Sequence, residues 1–176
     1  MRVDEFNPLA TWVPEGDPIA NLGLPPVAGR TVTCVVRVPG IGTGAAYADG
    51  DAFGTLIEFP NLFRPSKLSG LVMGAFLIDL DDEGLQIDVP LFIRSFTATA
   101  DNSAFAPTDA DAVNCRGVLQ INTFSNWNAN QFGQSVNVPW PVNAVSTSLF
   151  TQLVARGAPN IAAGSEPYVG LITLPD

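Results

Sequence analysis

Histidine is absent from this sequence of 176 residues, lysine occurs once (Lys67), and there are only two cysteines, Cys34 and Cys115. Each shortage closes off a class of chemistry. Without imidazole the chain lacks the commonest general base, the usual partner of a serine or cysteine nucleophile, and the commonest transition-metal ligand. Two cysteines and no histidine cannot supply the four ligands of a structural zinc site within one chain. One lysine and seven arginines stand against 17 acids, for a formal net charge of -9. No basic cluster is present to track phosphate, so no direct nucleic-acid contact is expected, and the same sign disfavours an anionic membrane surface. Uninterrupted apolar runs stay well short of the ~20 residues of a membrane span. The acidic start, Met1 to Glu5, is followed by no apolar stretch, so no signal peptide is expected. Neither a phosphate-binding loop nor a dinucleotide fingerprint is present. The cysteines read as two buried small hydrophobes in a reducing cytosol, although spacing alone does not exclude a bridge between them.

Hydrophobic residues make up 47% of the chain and charged residues 14%. That is enough apolar surface to outweigh the entropy cost of ordering, and the length suits one domain with a substantial core. So few charges cover a lone monomer poorly, which implies apolar surface lying against another subunit.

Residues 1–30 read as an extended arm. Pro8, Pro14, Pro18, Pro25 and Pro26, with Gly16, Gly23 and Gly29, recur too often for a helix or a central strand. Phe6, Leu9, Trp12, Ile19, Leu22 and Leu24 make it more apolar than a solvated tail, as if pinned to a surface of its own or of a neighbour. Residues 31–176 read as one β-domain. Thr31 to Val38 is rich in β-branched residues and stops at Pro39-Gly40. Gly54 to Phe59, Leu71 to Leu80, Leu85 to Arg94, Cys115 to Ile121, Ser148 to Arg156 and Pro167 to Leu174 follow as strands. In Leu85 to Arg94 the apolar residues alternate with Gln86, Asp88 and Pro90, the period of a half-buried strand, and Pro90 places it at a sheet edge. Pro107 to Asp111 predicts one helical turn inside a loop, Ser95 to Asn114. Asn122 to Asn143 reads as a polar loop bearing Phe124, Trp127, Phe132 and Trp140. Short strands between turn signals predict an all-β antiparallel sandwich.

Paired carboxylates are the one remaining catalytic option, as in a glycosidase. The acids, however, fall at turns: Asp49 and Asp51, Asp79 to Glu83, Asp101, Asp109 and Asp111, where turn formation and solvation account for them. No catalytic residue is assigned, and a non-enzymatic role without cofactor is expected. Asp79 to Gly84 matches the first half of an EF-hand loop, but the twelfth position is Pro90, so a tight hairpin turn closed by Gly84 is expected instead, and calcium at the turn aspartates stays open. The aromatics Trp127, Phe132 and Trp140 either stack sugars or pack internally or at a subunit contact.

Three segments together resemble small structural proteins of tailed bacteriophages. They are Asp49 to Gly54, then Leu91 to Phe105 running on to Pro107–Asp111, and then Leu153 to Pro159 with Tyr168 to Ile172 after it. In this order they look like the capsid decoration, or cement, proteins of phage heads, over roughly residues 47–174. The resemblance implies a jelly-roll-like sandwich clustered at threefold or quasi-threefold positions of the shell, made in the bacterial cytoplasm and carried on the virion surface. It implies the major capsid protein and neighbouring copies, as a homotrimer, as partners. The rival reading is a fibre or spike module that binds a receptor or glycan. On the decoration reading, removing residues 1–28 is expected to abolish shell binding in a co-sedimentation assay while leaving the fold intact, and unchanged binding would refute that role for the arm.

Overall fold

The computed structural model describes residues 30–42, 46–135, 139–161 and 167–176. The expected arm, apart from Arg30, lies outside the described residues. The regular structure of the described residues is almost entirely strand: β1 Val32–Arg37, β2 Ala52–Phe59, β3 Ser69–Asp79, β4 Gln86–Phe92, β5 Cys115–Ile121, β6 Phe124–Asn126, β7 Gln131–Gln134, β8 Trp140–Asn143, β9 Leu149–Arg156 and β10 Tyr168–Pro175. The single short helix, α1 Asp109–Ala112, falls at the predicted turn. Its cap is Thr108, whose hydroxyl accepts a 3.2 Å hydrogen bond from the Asp111 amide, and the two acids of its first turn suit the positive helix end.

The strands form two antiparallel sheets. The large sheet runs β1-β10-β3-β7-β6 with β8 also paired to β3, and the small sheet runs β2-β9-β4-β5. The order has a simple logic. The first strand pairs with the last, β2 with β9, β3 with β7 and β8, and β4 with β5. The chain is thus one long antiparallel ribbon rolled up so that successive segments fall in alternate sheets, which is the jelly roll. β6, β7 and β8 together fill the position that one strand fills in the simplest version.

Alternation decides what lies between the sheets. Cys34, Val169, Leu171, Val72, Ala75 and Leu77 of the large sheet meet Phe53, Ile87, Val89, Leu91, Leu119, Ile121 and Leu153 of the small one, all within one buried cluster. A fully buried side chain of this size contributes about 1.5–3 kcal/mol relative to exposure, so this layer supplies most of the driving force. Cys34 lies buried on β1 and Cys115 half-buried on β5, and no disulfide joins them.

Several expectations are corrected. The strand containing Pro90 is not an edge: β4 lies between β9 and β5. The ladder to β9 is paired at Asp88↔Val154 and again at Phe92↔Phe150, but not at the residues between them. Proline, which has no amide hydrogen to donate, sits within that gap. Asp79–Gly84 is not the expected hairpin turn: it and Arg156–Pro159 each leave a strand whose successor lies in the other sheet, β3 to β4 and β9 to β10. They are corners of the roll. The segment Asn122 to Asn143 is not simply a loop, since it holds β6, β7 and β8. Asn, Gln and Ser give it little intrinsic strand preference, and its pairing with β3, Phe76↔Gln134 through Asp79↔Gln131, overrides that preference.

Gly54 shows how tightly the sheet edge is seated. Its φ is +71°, and a Cβ there would lie 2.7 Å from the Pro39 carbonyl oxygen and 2.8 Å from Val38 Cγ1. Backbone strain and contact act together, so Gly54→Ala is expected to lower stability by about 1–3 kcal/mol, read as a shift of the urea midpoint at constant slope.

Candidate functional site

Most of the turn acids are structural fasteners, and their geometry shows what they fasten. Asp79 is fully buried; its carboxylate accepts from the amides of Asp81 at 2.9 Å, Glu83 at 3.1 Å and Leu85 at 3.4 Å, and so shapes the corner between the sheets. Asp82 accepts from the side-chain amides of Asn126 at 3.0 Å and Gln131 at 2.6 Å, tying that corner to β6 and β7. Asp101 accepts from the backbone of Gly42 and of Gly54, each at 2.6 Å, and from the Tyr47 hydroxyl at 2.9 Å. Burial, together with this carboxylate, pushes the Tyr47 phenol well above its ordinary range, so the hydroxyl stays a donor. Asp51 accepts from the Ala48 amide at 2.8 Å, and Asp49 from the Gly157 amide at 3.3 Å. Asp109 and Asp111 serve the first turn of α1. The EF-hand-like run therefore points its first carboxylate at its own backbone. Among the described residues no three His, Cys, Asp or Glu side chains are grouped to hold a metal ion, and no helix is long and apolar enough to cross a membrane.

One buried acid faces outward. Asp88, 6% exposed, accepts from Arg156 Nε at 2.9 Å and Nη2 at 2.5 Å, while Arg156 Nη1 lies 3.7 Å from Asp49. The pair forms one wall of an open pocket of about 330 Å³, completed by Gly50, Pro90, Phe105, Val118 and Val154. Because the guanidinium is already matched by Asp88, the pocket presents little uncompensated charge. The pair fixes the end of β9 against β4 across the register Gln86↔Arg156.

The outer surfaces of the two sheets differ. The segment after β4 folds back over the small sheet. Phe96 packs on Phe92 with ring centres 4.4 Å apart, and Thr99 exchanges hydrogen bonds of 2.9 Å and 2.7 Å with the Gln152 side chain. Phe92, Gln152 and Val154 are consequently buried at 2%, 0% and 5% exposure. The large sheet instead turns half-buried apolar side chains outward, Val35, Tyr168, Ile172, Phe76, Ile78 and Phe132, with the exposed polar Thr33, Arg37 and Gln134 at their margins. Three rings pile up there. Phe76 stacks on Phe132 and Phe132 on Trp127, each at 5.5 Å, and Trp127 remains 57% exposed. Gly170 allows this, because a Cβ there would fall 2.1 Å from the Phe76 ring.

Of the three aromatics singled out in the sequence, the structure brings Trp127 and Phe132 together. Trp140 is separate: it packs inward against Gly117 of the opposite sheet, with its indole nitrogen buried and unpartnered among the described residues. Phe76 is the member that sequence reasoning missed. The signal was available in β3, where Phe76 and Ile78 alternate with the buried Ala75 and Leu77.

Comparison of the chain with protein-family models, with curated proteins and with solved structures gave no match.

The Asp88–Arg156 pair yields an asymmetric prediction. Arg156→Leu leaves a buried carboxylate unpaired, whereas Asp88→Leu leaves a guanidinium whose side chain is 42% exposed and open to water. Chemical denaturation is expected to show a loss of about 3 kcal/mol for Arg156→Leu against about 1 kcal/mol for Asp88→Leu. Equal losses would mean that the pair is not held in this geometry in solution.

Proposed function

We propose that this chain is a non-enzymatic structural protein of a tailed-phage virion, a decoration protein that binds the outside of the capsid and reinforces the shell. Its partners on this reading are the major capsid protein and neighbouring copies of itself, as a homotrimer. The observation that carries the proposal is the contrast between the sheets: one is roofed by its own loop, and the other turns a broad apolar and aromatic face outward. Contact surfaces are enriched in aromatic side chains in this way. The jelly roll agrees with it, since viral capsid domains, lectins and cupins share that architecture, although architecture alone assigns no role. The histidine-free sequence also lacks the imidazole ligands of metal-dependent cupin chemistry. Packaged DNA presses outward on a shell, and many modest contacts repeated by symmetry resist it.

The exposed Trp127 ring gives the second reading its footing: a fibre or spike module that stacks a receptor sugar. The two separate cleanly. Quantitative mass spectrometry of purified particles is expected to find this protein at a ratio approaching one per capsid subunit, or one trimer per local threefold. A few copies per particle would favour the fibre reading, and absence from particles would remove the virion role. Trp127→Ala is expected to leave glycan-array binding unchanged at background, whereas a spike module would lose measurable affinity.

A further inference from the structure

We propose that the outer edge of β5 pairs with the same strand of a second copy, joining two small sheets across a twofold axis. The contact is between copies of this chain alone and does not depend on the shell reading. The small sheet ends in β2 on one side and β5 on the other. The β2 edge is covered: the Ala52 amide donates to the Ser103 carbonyl at 2.8 Å, the Asn102 amide to the Ala52 carbonyl at 2.9 Å, and the Thr55 amide to the Pro39 carbonyl at 2.9 Å. Among the described residues no backbone hydrogen bond other than those of the β4 ladder reaches β5.

An open strand edge is a template for another chain, and folds blunt it with lysine, proline or a bulge. β5 has neither lysine nor proline. Its one irregularity falls opposite the Leu91/Phe92 step, at Arg116, and leaves Gly117 to Ile121 in regular register with β4. The Arg116 guanidinium is held against its own backbone, Nη1 donating to the carbonyls of Val113 at 2.9 Å and Cys115 at 3.2 Å. At the middle of the strand stands Val118, an apolar side chain left 44% exposed.

The sequence of the strand selects a second copy as the occupant. Laid antiparallel against itself about Val118, β5 sets Val118 against Val118, Gly117 against Leu119, Cys115 against Ile121, and Arg116 against Gln120. Apolar residues meet apolar ones on both faces, and the only charged side chain meets a neutral amide, so no like charges oppose each other. The exposed Val118 is then covered by its own counterpart. Four strands from each copy become one sheet of eight. One strand pair buries too little to hold two free molecules firmly, so the contact gains most where copies already stand side by side. A twofold pair closes on itself and builds no ring of three; in the trimeric assembly proposed above it ties one trimer to the next.

The test uses the full chain with Val118→Cys, oxidised mildly at high protein concentration. Residues paired across the axis stand about 5 Å apart at Cα, within disulfide reach. Non-reducing denaturing electrophoresis is expected to show a covalent dimer, mapped by mass spectrometry to position 118 of both chains. Arg116→Cys and Gln120→Cys alone are expected to give no more dimer than the unaltered chain, whereas a mixture of the two gives dimers joining 116 to 120. A second measurement needs no new cysteine. Gln120→Glu sets a carboxylate opposite Arg116, and Gln120→Arg sets like charges there. Sedimentation equilibrium at physiological ionic strength is expected to show association at least about threefold tighter for the first and as much weaker for the second. The net charge of -9 acts in the opposite sense, since Gln120→Glu adds to it. All three positions are exposed, and unchanged circular dichroism confirms the fold of each variant. Absence of the dimer, a bond mapping elsewhere, equal trapping by Gln120→Cys alone, or charge variants that associate alike would each overturn the proposal.

Discussion

Strand β10 is the member on which the rest of the structure depends. It pairs with β1 along one side, Val32↔Thr173 to Arg37↔Tyr168, and with β3 along the other, Tyr168↔Ile78 to Pro175↔Gly70. Without it the large sheet falls into a lone strand and a remnant, and the inward row of Val169 and Leu171 leaves the core. The dependence is topological as much as energetic. Every pair of the rolled ribbon outside β4–β5 and β6–β7 joins residues distant in sequence, so loop-closure entropy must be met before the ladders can repay it. Folding on such a plan is slow compared with that of a helical bundle of the same length.

Local chemistry explains what was legible in the sequence. Runs such as Thr31 to Val38, ended by Pro39-Gly40, and the alternation in Leu85 to Leu91 mark strands because side-chain period and β-branching are properties of the strand itself. The helical turn at Pro107 to Asp111 was visible from its leading proline and its acids, which are equally local signals. Sheet membership was not, because it is set by partners far away. That is why Pro90, read by a local rule, misplaced β4 at an edge: the tertiary solution leaves a gap in one ladder and keeps the strand central. It is also why β6 to β8 were invisible. The antiparallel sandwich was thus readable from composition and punctuation, whereas the assignment of strands to sheets was not.

The candidate site was half legible. Trp127 and Phe132 were marked by residue type, and the structure stacks them; Trp140 carried the same mark and belongs to the core. Only register separates them: Trp140 pairs with Val72, whose side chain points inward, and Phe132 pairs with Ile78, which points out. The acids taught the converse lesson. Clustered at turns, they looked like the only chemistry available, yet the oxygens of Asp79, Asp82 and Asp101 are occupied in holding the fold. Asp101 gathers the backbone amides of Gly42 and Gly54 and the Tyr47 phenol, and Asp79 folds a corner around itself. A carboxylate saturated by fixed donors is well placed to brace a fold.

The antiparallel pairing of β1 with β10 also fixes how the domain answers to mechanical load. The start of β1 stands opposite the end of β10, with Val32 beside Thr173. Tension drawn along the backbone from residue 31 to residue 176 therefore peels this pair open one hydrogen bond at a time, the weakest way to load a ladder whose bonds lie across the strands. A pull delivered through the outward side chains of β1, β10, β3 and β7 is shared by all of their ladders at once. The same molecule is accordingly soft when tugged by its ends and stiff when gripped by its face, a directional compliance set by strand order alone.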